Sequence, residues 1–421
     1  MTVLIKNATI TDKSSAFHNR KVDVLIEDGI IKDIAEEIAS TNASKVIEGT
    51  NLNITPGFTD IFAHFNDPGT EYKETLETGA KAAAAGGYVR SFAIPNTNPV
   101  IHNKSQVEYV VQKSKSLVTD ILPIGAITKN AEGKDLAEMY DMHHSGAIAF
   151  SDGTHTLQNS QVLLKALQYV KVFDGVIIQI PDDTNITKTG LVNEGIVSTQ
   201  LGLPGKPAIG EQIQIARDLE LAKYTDSHIH FTSISTAESV ELIRQAKAKG
   251  IKVSCSVTPY HLSFTDEDLR TYDTNLKVNT PLRTAADVAA LKAGILDGTI
   301  DCIASHHLPQ DYDNKICEFE YAKYGMEGLE TTVAAVKTAI PELSNEQLTA
   351  LFSTNPATIF KIELPAIAVG NKADLSLWQD TTWQVQTSDI KSACKNNSFI
   401  GKTLNIKIKG VINGNKIHIN D

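Results

Sequence analysis

In the stretch TDIFAHFNDPG, His64 ends an apolar strand, GFTDIF, just before a Pro-Gly turn. Histidines at alternate positions of such a strand point the same way and can hold one metal ion between them. The alternate position here is Phe62, a hydrocarbon. Asp152 in AFSDG and His306 in ASHHLPQD also stand where apolar runs give way to loops. With His64 they offer three donors, enough for a catalytic zinc that keeps water in the fourth place. The plainer reading gives all three to hydrogen bonding at strand ends. His306-His307 could form an acid–base pair, although a structural role suits His307 better. His143-His144 reads as a helix end, His155 as a loop residue, and His228 and His230 as packed strand residues. KAAAAGG is helix-forming and lacks the spacing of a phosphate loop, and GLPGKPAIGE reads as a loop shaping a pocket rim.

The elements that must position these residues are read from the apolar pattern. GFTDIFAHF, YVRSFAIP, ILPIGAIT, AIAFSD, GVIIQIP, HIHFTSI, IKVSCSVT and DCIAS are candidate strands. Helix-period segments lie between most of them, among them KETLETGAKAAAAGG, QIQIARDLELAKY, TAESVELIRQAKAKG and TAADVAALKAGILDG. Near-continuous apolar strands alternating with helices predict a parallel sheet covered on both faces, and eight such units predict an α/β (β/α)8 TIM barrel. Chemistry in such barrels sits where strands end, which is where His64, Asn96, Asp152 and His306 fall. The first fifty residues and the end of the chain instead show short β-rich runs broken by Asn, Asp and Gly. Residues 1–53 and 365–421 are therefore expected to form one small β-sandwich-like domain, and 54–364 the barrel.

Composition narrows the function. The net charge of −11 argues against a nucleic-acid footprint. No apolar run approaches the ~20 residues that span a bilayer, and MTVLIKNATITD does not read as a signal peptide. Cys255, Cys302, Cys317 and Cys394 are scattered, as reduced thiols of a cytoplasmic protein would be.

The stretches TPGFTDIFAHFNDPGTEYKETLETGAKAAAAGGY, IPNTNPV, AFSDG, STAES, SVTPYHLSFTDEDL, KVNTPLR, DGTIDCIASHHLPQD, GMEGLETT, STNPA and GNKADLSLW resemble, in order, the dihydroorotases of the amidohydrolase superfamily. The resemblance implies a barrel with two zinc ions, a bridging hydroxide, a bridging Asp and a general base after the last strand. Zinc would acidify water and polarise an amide carbonyl while the carboxylate moves the proton.

Set against that pattern, the ligands are mostly replaced. Phe62 stands for the first His, Ile180 for the His after the fifth strand, and Ser233 for the His after the sixth. His228 and His230 lie at odd offsets from Ser233, which on a strand turns them to the opposite face. His306 takes the place of the Asp that serves as ligand and base, and Gln310 that of a substrate-facing His. Only His64 and Asp152 are kept in kind. The substrate-gripping Arg becomes Asn66, which exchanges a planar cation for a neutral amide. Asn96, Asn279, Asn66 itself and the GMEGLETT loop are the candidate substrate contacts. No cofactor is expected; at most one zinc ion is the alternative. The reading is a dihydroorotase-like protein of pyrimidine biosynthesis that lacks dihydroorotase activity and has an assembly or regulatory role. The resemblance suggests aspartate transcarbamoylase as partner, and a homo-oligomer is expected, with neither nucleic acid nor membrane. Two alternatives stand beside it. One is an active dihydroorotase or other cyclic amidohydrolase with a mononuclear or metal-free site on His64, Asp152 and His306. The other is a module sensing a pathway metabolite through Asn96, Asn279 and the His306 loop.

Overall fold

Each apolar run picked out from the sequence is a parallel strand. In a computed structural model that describes residues 1–39 and 43–420, they are β1 (Phe58–Ala63), β2 (Tyr88–Ala93), β3 (Asp120–Gly125), β4 (Ala149–Phe150), β5 (Val176–Gln179), β6 (His228–Phe231), β7 (Val253–Val257) and β8 (Cys302–Ile303). They neighbour one another in that order. The ring is joined where Ala63 bridges His307 and the His64 amide donates to the His307 carbonyl at 2.8 Å. The result is a nearly closed TIM-barrel-like fold.

Val, Ile and Phe fill the inside. Phe62, Phe92, Ile124, Ile178, Ile180 and Ala304 form one buried cluster, and Phe360 plugs it with an edge-on contact to Phe92 at 4.9 Å. The outer helices start where the sequence supplies caps. Thr75 and Thr284 make capping boxes for Leu76–Ala85 and Ala285–Leu296, and Thr236 caps Ala237–Ala248. KAAAAGG is accordingly the end of a helix, with Gly86 as its C-cap.

Strands from both chain ends build one additional mixed sheet of eight strands. Thr2–Ile10 pairs in parallel with Leu52–Pro56, and that strand pairs antiparallel with Asp374–Gln384. Buried Arg90 of β2 holds the Asp374 carboxylate through both terminal nitrogens, tying barrel to sheet. The four cysteines are free. No helix among the described residues is long and apolar enough to cross a membrane.

Candidate functional site at the barrel mouth

β1 turns Phe62 into the barrel with no surface exposed. Its ring stacks on the His306 imidazole, with centroids 4.3 Å apart and planes 19° from parallel. His306 follows β8 in the left-handed region, at φ 45°, a conformation non-glycine residues hold only when the surroundings impose it. Buried Asp60 helps impose it, because its Oδ1 accepts the Ser305 amide at 2.7 Å. His306 Nε2 meets the Thr232 hydroxyl at 2.8 Å, while Nδ1 is buried without a partner. Burial holds this imidazole's pKa down at about 3, so it is neutral near pH 7.

The two residues kept in kind are already engaged. His64 Nε2 lies 3.0 Å from the Asn96 carbonyl, which can only accept, so Nε2 carries the hydrogen. Both Asp152 oxygens accept from Thr128, from its amide at 2.9 Å and its hydroxyl at 2.6 Å. Asn96, a candidate substrate contact, bonds the Asp152 carbonyl through Nδ2 and accepts the Thr154 amide through Oδ1. Its amide pins two loops together. Asn66 is buried at φ 58° and accepts from Thr70. Asn279 accepts Lys206 Nζ at 2.6 Å. Gln310 lies between Lys73 and the Tyr324 carbonyl.

After β6 the strand-parity argument fails, and for a physical reason. Ser233 has φ 60°, so the extended alternation ends before it, and its hydroxyl meets Thr280 at 3.1 Å. His230 consequently faces the barrel interior, level with Ile178, instead of the opposite face. It lies beneath the mouth against Phe360, and its two nitrogens meet Ser254 at 2.8 Å and Ser256 at 3.0 Å. His307 accepts the Gly328 amide and sits 3.4 Å from buried Glu74. His155 is exposed on its loop, and His143-His144 closes the helix Met139–His144.

A charged group at the rim escaped the sequence reading. Buried Lys206, from GLPGKPAIGE, gives hydrogen bonds of 2.6 Å to both Asp182 and Asn279. Arg283 lies behind it, donating to the Lys206 carbonyl and to Asn193 at 2.9 Å. The only sequence signal was a lysine in a Gly-Pro-rich loop and an acidic pair after β5.

The zinc ions implied by the resemblance do not fit these side chains. A zinc site needs lone pairs converging at about 2 Å from one point. Here Phe62 and Ile180 put hydrocarbon at two ligand positions, and His306 is stacked on Phe62 with its Nε2 at the Thr232 hydroxyl. Among the described residues no group of three or more His, Cys, Asp or Glu side chains is placed to hold a metal ion.

The buried neutral histidines carry a pH consequence. Burial lowers His64 to about 4, and His261 and His306 to about 3, from an ordinary value of 6.5. The unfolded chain therefore takes up protons first, so their contribution is complete above pH ~6.5 and lost as pH falls toward 4 and then 3. Urea midpoints should drop steadily from pH 7 to pH 4, and less steeply in His306→Asn. Equal slopes for the two proteins would contradict this assignment.

The comparisons agree with this architecture. The chain matches the Dihydro-orotase-like family over residues 52–239 and the Amidohydrolase family over residues 194–417. It is 40% identical over 405 residues to the dihydroorotase of Citrifermentans bemidjiense, covering 95% of each chain. It is 36% identical over 426 residues to that of Geotalea daltonii, covering 100% of each. Among solved structures, the L-hydantoinase (dihydropyrimidinase) from Arthrobacter aurescens superposes with a TM-score of 0.85 at 22% identity, covering 100% of this chain and 97% of the other. The dihydropyrimidinase of Brevibacillus agri gives 0.85 at 19%, covering 100% and 95%. Identity at that level speaks for the fold, and the closer sequence matches speak for the family. The chain belongs to the dihydroorotase family of amidohydrolases, and among its described residues no group of three or more His, Cys, Asp or Glu side chains is placed to hold a metal ion.

Proposed function

We propose that this protein serves pyrimidine biosynthesis without catalysing ring closure or opening, as an assembly or regulatory subunit in the cytoplasm. The Phe62–His306 stack carries the reading, because hydrocarbon and a neutral imidazole take the space of a metal centre while the scaffold around them stays whole. The proposed partner is aspartate transcarbamoylase, engaged by a homo-oligomer of this chain. The retained Asn96 and Asn279 are turned to loop positioning in this reading. An active mononuclear or metal-free site on His64, Asp152 and His306 is less well supported, since among the described residues no three such side chains are placed to hold one metal ion and His306 is stacked on Phe62 with Nε2 on Thr232. Size-exclusion chromatography of the two proteins mixed at micromolar concentration should give a common early peak. Two independent peaks would sink the proposed partnership. Dihydroorotate and carbamoyl aspartate should leave the thermal midpoint unmoved, because a ligand of the folded state alone would raise it. A saturable rise with either would favour a ligand-sensing role instead.

A further inference from the structure

A polar seam crosses the otherwise hydrocarbon barrel interior. On β6 and the residue after it, His228, His230 and Thr232 stand at alternate positions, as do Ser254 and Ser256 on the neighbouring β7, where His230 is in register with Ser254. Their side chains form one unbroken row. His228 Nε2 meets Ser254 Oγ at 2.9 Å, and Ser254 Oγ meets His230 Nδ1 at 2.8 Å. His230 Nε2 meets Ser256 Oγ at 3.0 Å, Ser256 Oγ meets Thr232 Oγ1 at 2.9 Å, and Thr232 Oγ1 meets His306 Nε2 at 2.8 Å. The row runs from half-buried His228, at the start of β6, to fully buried His306 at the mouth.

The angles at the two oxygens make the Ser256 hydroxyl the donor to Thr232, and that one assignment orders every other hydrogen. Ser256 has spent its hydrogen, so it accepts from His230 Nε2. Burial brings His228 down to about 4, His306 to about 3 and His230 well below 6.5, so each imidazole is neutral at pH 7 and carries one hydrogen. His230 Nδ1 is then a lone pair that accepts the Ser254 hydroxyl, and Ser254 accepts from His228 Nε2. At the other end the Thr232 hydroxyl donates to His306 Nε2, its one acceptor among the described residues, which leaves the hydrogen of His306 on Nδ1. We propose that this seam is a conformational device, a single ordered row that locks His228, His230 and His306 into one combination of tautomers and carries a change at the barrel mouth to the opposite end of the barrel. Members of such a row cannot reverse singly, because each hydroxyl has one hydrogen to give.

Nitrogen-15 NMR of the full-length protein labelled at histidine reads the tautomers at pH 7. The wild type should show His228 and His230 protonated on Nε2 and His306 on Nδ1. His306 found on Nε2, or His230 on Nδ1, overturns the proposal without any variant. Thr232→Val, nearly isosteric, removes the hydroxyl that accepts from Ser256. The Ser256 hydroxyl should then turn to His230 Nε2, driving His230 to the Nδ1 form, Ser254 towards His228, and His228 to the Nδ1 form as well. The tautomer ratio of His228, whose side chain makes no hydrogen bond to Thr232, should shift at least ~10-fold, as an unpartnered buried hydroxyl would impose. In a Ser254→Ala background the same valine should leave His228 unmoved, which separates relay along the row from general disturbance. A His228 that keeps its wild-type ratio in Thr232→Val, or that shifts equally with Ser254 removed, contradicts the proposal.

Discussion

Phe62→Ala is expected to destabilise the fold by about 3–5 kcal/mol, the usual range for emptying a fully buried phenylalanine site. The ring is completely enclosed, packed with Ile61, Phe92 and Ile180, and stacked on His306. Its removal takes away one wall of the His306 pocket, so the loop after β8 should loosen as well. Urea denaturation would give the stability, and hydrogen exchange at Ser305–His307 the local opening. Phe62→His tests the same space differently. It returns one ligand type, but Ile180 and the Asp152–Thr128 bonds remain, so zinc affinity should stay weaker than micromolar. A loss under ~1 kcal/mol for the alanine variant would mean that the ring is not the packing element described here.

Arg283→Met should be as costly, at about 3–5 kcal/mol, for an electrostatic reason. Arg283 is 2% exposed, donates to Ser235, Asn193 and the Lys206 carbonyl, and lies 3.7 Å from Glu211. Glu211 in turn accepts the Ser235 and Thr236 amides at the start of the helix Ala237–Ala248. Removing the guanidinium leaves that carboxylate buried without its cation, the situation in which broken buried pairs are most damaging. Glu211→Gln should restore part of the loss in the double variant, with a coupling above ~1 kcal/mol in a double-mutant cycle. Simple additivity would contradict the pairing.

How much of this was legible in the sequence follows from the range of each interaction. The eight strands were readable because each is a short apolar run bounded by Gly, Pro or polar residues, a pattern set within a few residues. Phe62 and Ile180 could be recognised as hydrocarbon in ligand space because the resemblance to the dihydroorotases assigns those two places to His. The uses of the remaining polar groups were not readable. Asp152 bonds Thr128 across 24 residues, Lys206 reaches Asn279 across 73, and His306 meets Thr232 across 74. Those pairings exist only after the barrel closes. The facing of His230 was misread because a left-handed residue at Ser233 interrupts alternation, and nothing in a serine announces that conformation. Left-handed Asn66 and His306 follow β1 and β8 in the same way, so strand parity is least dependable at the ends where sites are built.

The most direct measurement is the zinc content of protein purified without chelators, by elemental mass spectrometry on the sample assayed for dihydroorotate turnover. Hydrocarbon-filled ligand positions, with no three converging ligands among the described residues, predict well under one zinc per chain and no turnover above buffer. Two zinc ions per chain with ring opening or closing that vanishes on chelation would contradict the account.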